Sequence, residues 1–535
     1  MFKNLKISSN KYIFFLSLYL SFVLNISFFK TLFLNFQISG VMQFLCVAFL
    51  IFIVPLPIYL FLNLILLKSV IKPLSYFILI LSSATNYMML KMGVYIDYSM
   101  IRNVFETNTR EALDLISLPL IINVMIFGIV PSIFVAKLKI TFYSFKQEVI
   151  KRLCMSGISI FLIIIYLLLF GKFLVPFGRN NSEIKAQYNT LNYVVNTLKY
   201  INKSLKTPKK FIILDDNVKS KIKDKNVHIV VLVVGETARA QNFSLYGYKK
   251  ETNPLMKNEA NIVAVPDVTS CGTATALSVP CMFSAKKRSD FDIAYSGYEE
   301  NLLDIVKKAG WNVVWYENDD GCKKVCNRVE SYNIVSIGNS EDCFGDFCRD
   351  NALISYLENN LKNADKNTMI VLHTMGSHGP SYYKRYSKEF EKFKPACDTI
   401  NIQNCSEEEL VNTYDNTILY TDYFVSKVIE KLKQYKNYET SLLYVSDHGE
   451  SLGEGGIYLH GLPYRIAPKE QKTVPFIMWF SDSMLKNTGV SLNCLKNKVW
   501  KNISHDNLFH TMLGLTKTDT KLYNQNLDVI FDCEK

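Results

Sequence analysis

Asp447 and His448 sit side by side in the short turn-like stretch Asp447-His448-Gly449-Glu450. A carboxylate beside an imidazole supplies two ligands for a catalytic zinc, which takes nitrogen and oxygen donors and keeps a further position for a hydroxyl, water or substrate. Glu236, in Gly235-Glu236-Thr237-Ala238-Arg239, offers another carboxylate. Taken alone, an Asp-His pair reads more readily as a salt-bridged surface pair. The zinc reading gains because both segments directly follow apolar runs. A hydroxyl-rich stretch, Thr269-Ser270-Cys271-Gly272-Thr273-Ala274-Thr275-Ala276-Leu277-Ser278-Val279-Pro280-Cys281, supplies candidates for the remaining ligand. A zinc-bound hydroxyl gives up its proton more easily, which makes a Thr or Ser competent to attack phosphorus. Small residues around Gly272 suit a loop that opens a helix, whose N-terminus presents N–H groups and a positive dipole end to a phosphate. The plainer reading of the same stretch is a capping loop whose hydroxyls only bond the backbone.

These groups need a frame. From residue 227 the pattern alternates buried-strand runs with helical stretches. The runs are His228–Val234, Asn312–Tyr316, Thr368–His373 and Leu442–Val445; the helices lie near Glu299–Ala309, Asn351–Leu361 and Tyr414–Leu432. The expectation is an α/β domain with a mostly parallel sheet covered on both faces. Ligands bind such sheets beyond the carboxyl ends of the strands. Each run is followed by polar groups: Gly235 to Arg239, then Glu317-Asn318-Asp319-Asp320 with Lys323, then Thr374 to Gly379 with His378, then Ser446 to Glu450. Four strands delivering charge-bearing groups to one edge mark an active site. His373, at a strand end, reads as structural. His228, His505 and His510 are assigned no role.

The formal charge of +12 suggests a nucleic-acid binder until it is divided. Residues 1–176 hold 15 Lys/Arg against 5 Asp/Glu, and the remaining 359 hold 45 against 43. The excess therefore belongs to the apolar N-terminal third, and no nucleic acid is expected. That third has five apolar runs, at about 12–29, 41–67, 73–90, 115–136 and 153–176. Each approaches or exceeds the roughly 20 residues that span a bilayer core. A cleaved signal peptide fits the first run poorly, because four more follow and no small-residue cleavage site is evident. Lys3, Lys6 and Lys11, then Lys68 and Lys72, then Lys137, Lys139, Lys146, Lys151 and Arg152 alternate with near-neutral segments. The positive-inside rule puts these in the cytoplasm, with the N-terminus, and sends everything after Pro176 outward. The expected layout is a helical transmembrane domain over 1–176, a linker with an interfacial helix over 177–226, and an exported catalytic domain over 227–535. In the linker, Tyr193, Val194, Leu198, Ile201 and Leu205 give a helical apolar pattern, which a plain solvated tether would also tolerate.

The cysteines test the export. Cys46 and Cys154 lie in or beside spans. Eight others form close neighbours: Cys271 with Cys281, Cys322 with Cys326, Cys343 with Cys348, and Cys397 with Cys405. Such spacings suit disulfides in an oxidising compartment, and they lack the paired CxxC knuckles of a structural zinc site. Cys494 and Cys533 are candidates for a fifth bridge.

The stretches VVGETARA, TSCGTATALSVPCMFS, HTMGSHGP and YVSDHGESLGEGGIYLHG resemble the phosphoethanolamine transferases that modify lipid A, a family that includes the mobile colistin-resistance enzymes. The resemblance covers nearly the whole chain. It implies five spans and a periplasmic alkaline-phosphatase-like (sulfatase-like) domain in the bacterial inner membrane. It also implies Thr275 as nucleophile, with Thr273 and Ser278 in support, and Glu236, Thr275, Asp447 and His448 as ligands of Zn2+. His378 and His460 match family histidines that bind the substrate phosphate or a second zinc. Lys323 falls where the family has a lysine that contacts the phosphoethanolamine group; Cys322 and Cys326 beside it are lacking in some relatives. Asn103, Thr107 and Glu111 are spaced to share one helix face, which by itself reads as a solvated interfacial helix. Relatives use the matching residues for the ethanolamine headgroup, whose cation suits a carboxylate.

The implied reaction is a ping-pong transfer by a monomer. Phosphatidylethanolamine is the donor, a phosphoethanolamine-threonine is the intermediate and a lipid A phosphate is the acceptor. The result is a less negative surface and polymyxin resistance. Alternatives are a core oligosaccharide or other surface acceptor, and a phosphoglycerol transferase, which the Cys271–Cys281 loop disfavours. A dead-hydrolase sensor predicts lost metal ligands, and none is missing.

Overall fold

The structure is a computed structural model that describes the chain apart from residues 1–4, 37, 39, 107–112, 114, 181–182, 206–209, 224, 320, 339, 346 and 535. The chain divides into two compact units, Met1–Ile101 with Ile116–Asn202, and Arg102–Leu115 with Lys203–Lys535.

In the first unit, four described helices are long and apolar enough to cross a membrane: Val41–Ile65, Ile71–Met92, Leu118–Lys137 and Phe145–Leu174. A fifth span is reached only if Ser9–Phe22 and Ile26–Asn35, bent by 54° at their junction, count as one. The sequence had offered a single run there. Asn25 explains the bend: its Nδ2 donates to the Leu20 carbonyl at 2.9 Å and its Oδ1 accepts from the Asn189 N–H at 2.7 Å. A side chain that bonds the backbone in this way competes with the helix ladder. The interior of the unit carries small polar residues, with Ser17, Ser21, Ser75, Ser82 and Ser83 all buried. Small residues let helices approach closely where lipid gives no hydrophobic drive. The helix after Pro176 is present as Leu191–Leu205; Tyr193 is buried within this unit, and Leu198, Ile201 and Leu205 are exposed.

The second unit is built on a seven-stranded sheet. Its strands are β1 (His228–Gly235), β2 (Ile262–Thr269), β3 (Asn312–Glu317), β4 (Glu330–Asn333), β5 (Thr368–His373), β6 (Glu439–Ser446) and β7 (Thr473–Phe480), in the order β2-β7-β6-β1-β5-β3-β4. β7 runs antiparallel to both its neighbours, and the pairings from β6 to β4 are parallel. The four strands anticipated from apolar runs are the contiguous centre of this sheet. β1, β5 and β6 are buried along their whole length, as a strand covered on both faces must be. The long helix Glu407–Lys433 covers the sheet. Ser406 and Glu409 close a capping box at its start, a device worth about 1 kcal/mol.

Register decides where the chemistry falls. His373 pairs with Val234 on one side and Glu317 on the other, and Ser446 pairs with Gly235. The last residues of β1, β3, β5 and β6 therefore end in one row, and the polar segments that follow share one edge. All four anticipated disulfides are present, and Cys494 is joined to Cys533 as well. Cys46 and Cys154 are free.

Candidate active site

Glu236 leaves the end of β1, Asp447 and His448 leave the end of β6, and Thr275 is the first residue of the helix Thr275–Met282. Backbone bonds lash these segments together. The Asp447 N–H donates to the Gly235 carbonyl at 2.9 Å, and the Ser377 N–H donates to the Glu236 carbonyl at 3.0 Å. Gly376 makes that approach possible. Its φ is +50°, and a Cβ there would stand 2.5 Å from the Glu236 carbonyl oxygen and 3.0 Å from its nitrogen.

Four side chains then converge. Thr275 Oγ1 lies 3.2 Å from each Glu236 carboxylate oxygen and 3.4 Å from His448 Nε2. His448 Nε2 lies 3.3 Å from Glu236 Oε1 and 3.4 Å from Asp447 Oδ2. A tetrahedral zinc with bonds of about 2.0–2.1 Å holds its ligands about 3.3 Å apart, so these spacings are the ones such an ion needs. His448 Nδ1 faces the Gly449 carbonyl at 2.9 Å, which leaves Nε2 free to face a metal, and among the described residues buried Asp447 Oδ2 has no hydrogen-bond partner. Two carboxylates and an imidazole, all fully buried, with a hydroxyl at the rim, fit a divalent cation.

The electrostatics point the same way. Burial opposes ionisation of Glu236, but the imidazoles of His448, His378 and His460 outweigh it and hold this carboxyl well below the usual range. Burial, then the negative Glu236, drives Asp447 well above it. Burial pushes His448 down, yet Asp447 and Glu236 prevail and raise it to about 10. Without a cation the cluster avoids two adjacent negative charges by taking up protons on Asp447 and His448, and a bound cation would take the place of those protons.

Thr273 and Ser278 tie down the segment that leads into the Thr275 helix. Thr273 Oγ1 donates to the Leu462 carbonyl at 2.6 Å, and its own carbonyl accepts from the Gly461 N–H at 2.7 Å. Ser278 Oγ donates to the Asp447 carbonyl at 2.5 Å. His460 comes from the same loop as Gly461. Its ring lies 4.4 Å from that of His448 and 5.3 Å from that of His378. His460 Nδ1 faces Glu450 at 3.4 Å. His378 is buried, and burial pushes its pKa well below the ordinary histidine value. Lys323 follows Cys322, takes a left-handed φ of 47°, and its charge acts on Asp319. Asn103 lies on the helix Tyr98–Glu106, while Thr107 and Glu111 fall outside the described residues.

His505, given no role from the sequence, bridges the Cys271–Thr275 loop to the end of β6. Its Nδ1 accepts from the Cys271 N–H at 3.1 Å, and its Nε2 faces the Ser446 carbonyl at 2.9 Å. Burial pushes it down to about 4, so it stays neutral and can make both bonds. No local signal marks it, because its partners lie 59 and 234 residues away.

Comparison with known proteins follows the same division of the chain. A family profile described as Sulfatase matches residues 228–518, and one described as Phosphoethanolamine transferase EptA/EptB matches residues 54–205. Phosphoethanolamine transferase EptA of Escherichia coli K12 is 38% identical over 531 residues, covering 97% of this chain and 95% of the relative. Phosphatidylethanolamine transferase Mcr-1 of Escherichia coli is 34% identical over 461 residues, covering 84% of each. Among solved structures, the integral membrane lipooligosaccharide phosphoethanolamine transferase A of Neisseria meningitidis superposes with a TM-score of 0.96 at 37% identity, over 99% of this chain and 100% of that one.

Proposed function

This chain belongs to the phosphoethanolamine transferase family, and from that premise we propose that it transfers phosphoethanolamine from phosphatidylethanolamine to a lipid A phosphate through a covalent adduct on Thr275. The observation that carries the reading is the placement of Thr275 Oγ1 at a helix start, 3.2 Å from Glu236 and 3.4 Å from His448. Zn2+ held by Glu236, Thr275, Asp447 and His448 would favour the alkoxide of Thr275 and offset charge on the phosphoryl oxygens.

In the first half-reaction Thr275 Oγ attacks the phosphorus of phosphatidylethanolamine. The bond from phosphorus to the glycerol oxygen breaks, and diacylglycerol leaves with a proton. His460, whose ring lies 4.4 Å from that of His448 and 5.3 Å from that of His378, hands that proton over. In the second half-reaction an oxygen of the lipid A phosphate attacks the same phosphorus, and the bond to Thr275 Oγ breaks. Lys323 orients the phosphoethanolamine group, and His378 contacts its phosphate. Asn103, Thr107 and Glu111 receive the ethanolammonium headgroup at the membrane. The added amine lowers the negative charge of the surface, from which polymyxin resistance follows.

In this reading residues 1–176 form the inner-membrane part, 177–226 a linker with an interfacial helix, and 227–535 a periplasmic catalytic part. The N-terminus is cytoplasmic and the chain acts as a monomer. Support comes from the ten Lys/Arg of the segments assigned to the cytoplasm and from the five disulfides, all in the second unit.

The test is to express the intact chain and Thr275→Ala in a Gram-negative host and to weigh the extracted lipid A. The expected outcome is a phosphoethanolamine adduct on a lipid A phosphate with the intact chain, and a drop of about 10⁴-fold or more with the variant. An undiminished adduct with Thr275→Ala refutes the nucleophile. An adduct on core sugars alone moves the acceptor.

A further inference from the structure

Next to the threonine cluster, on the β3 and β5 side of Glu236, lies a second set of buried ligand atoms. Asp319 follows β3 and His373 ends β5. Glu236, Asp319 and His373 place one ligand atom each within 4.8 Å of one another, and all three are buried. We propose that these three residues form a second divalent-cation site, sharing the Glu236 carboxylate with the zinc site of the proposed function, on which reading this inference rests.

The argument starts from unmet hydrogen bonds. Asp319 is 4% exposed and His373 is 0% exposed. Among the described residues neither Asp319 carboxylate oxygen has a hydrogen-bond partner, and His373 Nε2 has none. They do not satisfy each other, because His373 Nε2 stands 3.9 Å from Asp319 Oδ2, beyond hydrogen-bond reach. Buried polar groups in folded proteins are nearly always partnered, so three such atoms facing one point call for a ligand.

The tautomer of His373 is set for metal binding. Its Nδ1 lies 2.9 and 3.0 Å from the two Glu317 oxygens. Glu317 is itself fixed: it accepts from Trp315 Nε1 at 2.8 Å and from the Asp319 N–H at 2.7 Å. A carboxylate that binds one nitrogen of a histidine and aims the other at a metal is the usual outer shell of such sites. Glu317 is therefore a positioning residue. Two carboxylates and one imidazole, without thiolate, suit a borderline or hard divalent ion such as Zn2+ or Mn2+. A carboxylate shared by two ions is the arrangement of two-metal phosphoryl-transfer sites. The rival counter-ion is Lys323, whose charge also acts on Asp319. If Lys323 alone neutralises Asp319, the second ion does not bind.

The experiment uses the full chain in detergent, stripped of metal and re-equilibrated with Zn2+ alone. Zinc per chain is counted by mass spectrometry for the intact protein, Asp319→Asn and His373→Gln, each checked for fold by circular dichroism. The expected result is two equivalents in the intact chain and one in each variant. One equivalent in the intact chain overturns the second site, as does retention of both in either folded variant. Zinc-edge anomalous maps of the unsubstituted chain keep the test decisive if the variants do not fold. A peak at each cluster supports both sites. A peak only among Glu236, Thr275, Asp447 and His448 overturns this proposal and leaves the threonine reading standing. A second peak at His378 and His460 instead also overturns it. A peak only beside Asp319 and His373 removes Thr275 as a zinc ligand, and no peak removes both.

Discussion

The two units use buried polar side chains differently. In the membrane-type unit large apolar side chains such as Val41, Phe52, Leu64 and Leu168 face outward, and buried serines and asparagines share the interior with Ile13, Leu20, Ile58 and Leu62. In the sheet unit Val230, Leu232 and Val234 are fully buried, and the buried polar groups of the candidate site lie at or just past the ends of β1, β3, β5 and β6. The same fact, a buried polar side chain, therefore carries different meanings. Against lipid, a buried serine marks a helix contact: Ser82 Oγ sits 3.0 Å from Thr190 Oγ1 and 3.2 Å from the Tyr193 hydroxyl, and that pairing is complete in itself. Against water, burying Asp447 with its Oδ2 lacking a hydrogen-bond partner among the described residues is costly, and a bound cation would offset that cost.

If the difference is real, substitutions should separate the units by the size and kind of their effect. The largest effect outside the ligands is expected at Gly376. Gly376→Ala drives a Cβ into the Glu236 backbone at a left-handed φ, and neither side can yield cheaply. Displacing Glu236 by an ångström should cut lipid A modification about 100-fold, measured by mass spectrometry of the adduct. Near-normal transfer would show that the sheet edge is not held to this tolerance.

The next effect is pH-dependent. Burial holds His505 at about 4 in the folded chain, against about 6.5 unfolded. The unfolded chain binds the extra proton between those values, so stability is full above about pH 6.5 and is lost as pH falls towards 4. The loss amounts to about 3 kcal/mol. Melting curves of the full chain from pH 7.5 to 4.5 should show it, and His505→Asn should flatten the slope. His510, also pushed to about 4 by burial, supplies part of what remains. An unchanged slope in the variant would detach His505 from the site.

Much of this architecture was legible in the sequence, and the failures have physical causes. β1, β3, β5 and β6 could be read because a strand covered on both faces is a continuous apolar run. β2 and β7 were not read. Pro266 interrupts the first, which is an edge strand, and Pro475 sits where the β7–β2 register shifts, the places where a sheet tolerates a missing N–H. β4 has the sequence Glu330-Ser331-Tyr332-Asn333, with four exposed residues at the other edge, and no periodicity could reveal it. At the site, Glu236, Asp447 and His448 stood out because each follows a strand. His373 stands at a strand end too and reads as structural, and its pairing with Glu317 is visible only in the folded chain. Its Nε2 and the two Asp319 oxygens are unpartnered only in three dimensions.

A pair of serines tests the contrast at its weakest point. Ser278 and Ser82 are both fully buried, and both have hydroxyls engaged. Ser278→Ala removes the bond to the Asp447 carbonyl and the acceptor that faces the Gly272 N–H at 3.3 Å. Both broken contacts lie in water-facing protein whose orphaned groups find no substitute, so the cost should be about 1–3 kcal/mol. Transfer activity should fall with it, because Asp447 and the Thr275 helix lose their tie. Ser82→Ala should cost only about 0.6 kcal/mol, because Thr190 and Tyr193 can re-pair among the polar groups around them and the lipid-embedded reference state does the same. Its lipid A modification should match that of the intact chain. Thermal melting and adduct mass, measured on both variants together, decide the point. Equal losses of activity would mean that the buried polar groups of the membrane-type unit serve the reaction, and the division drawn between the two units would fall.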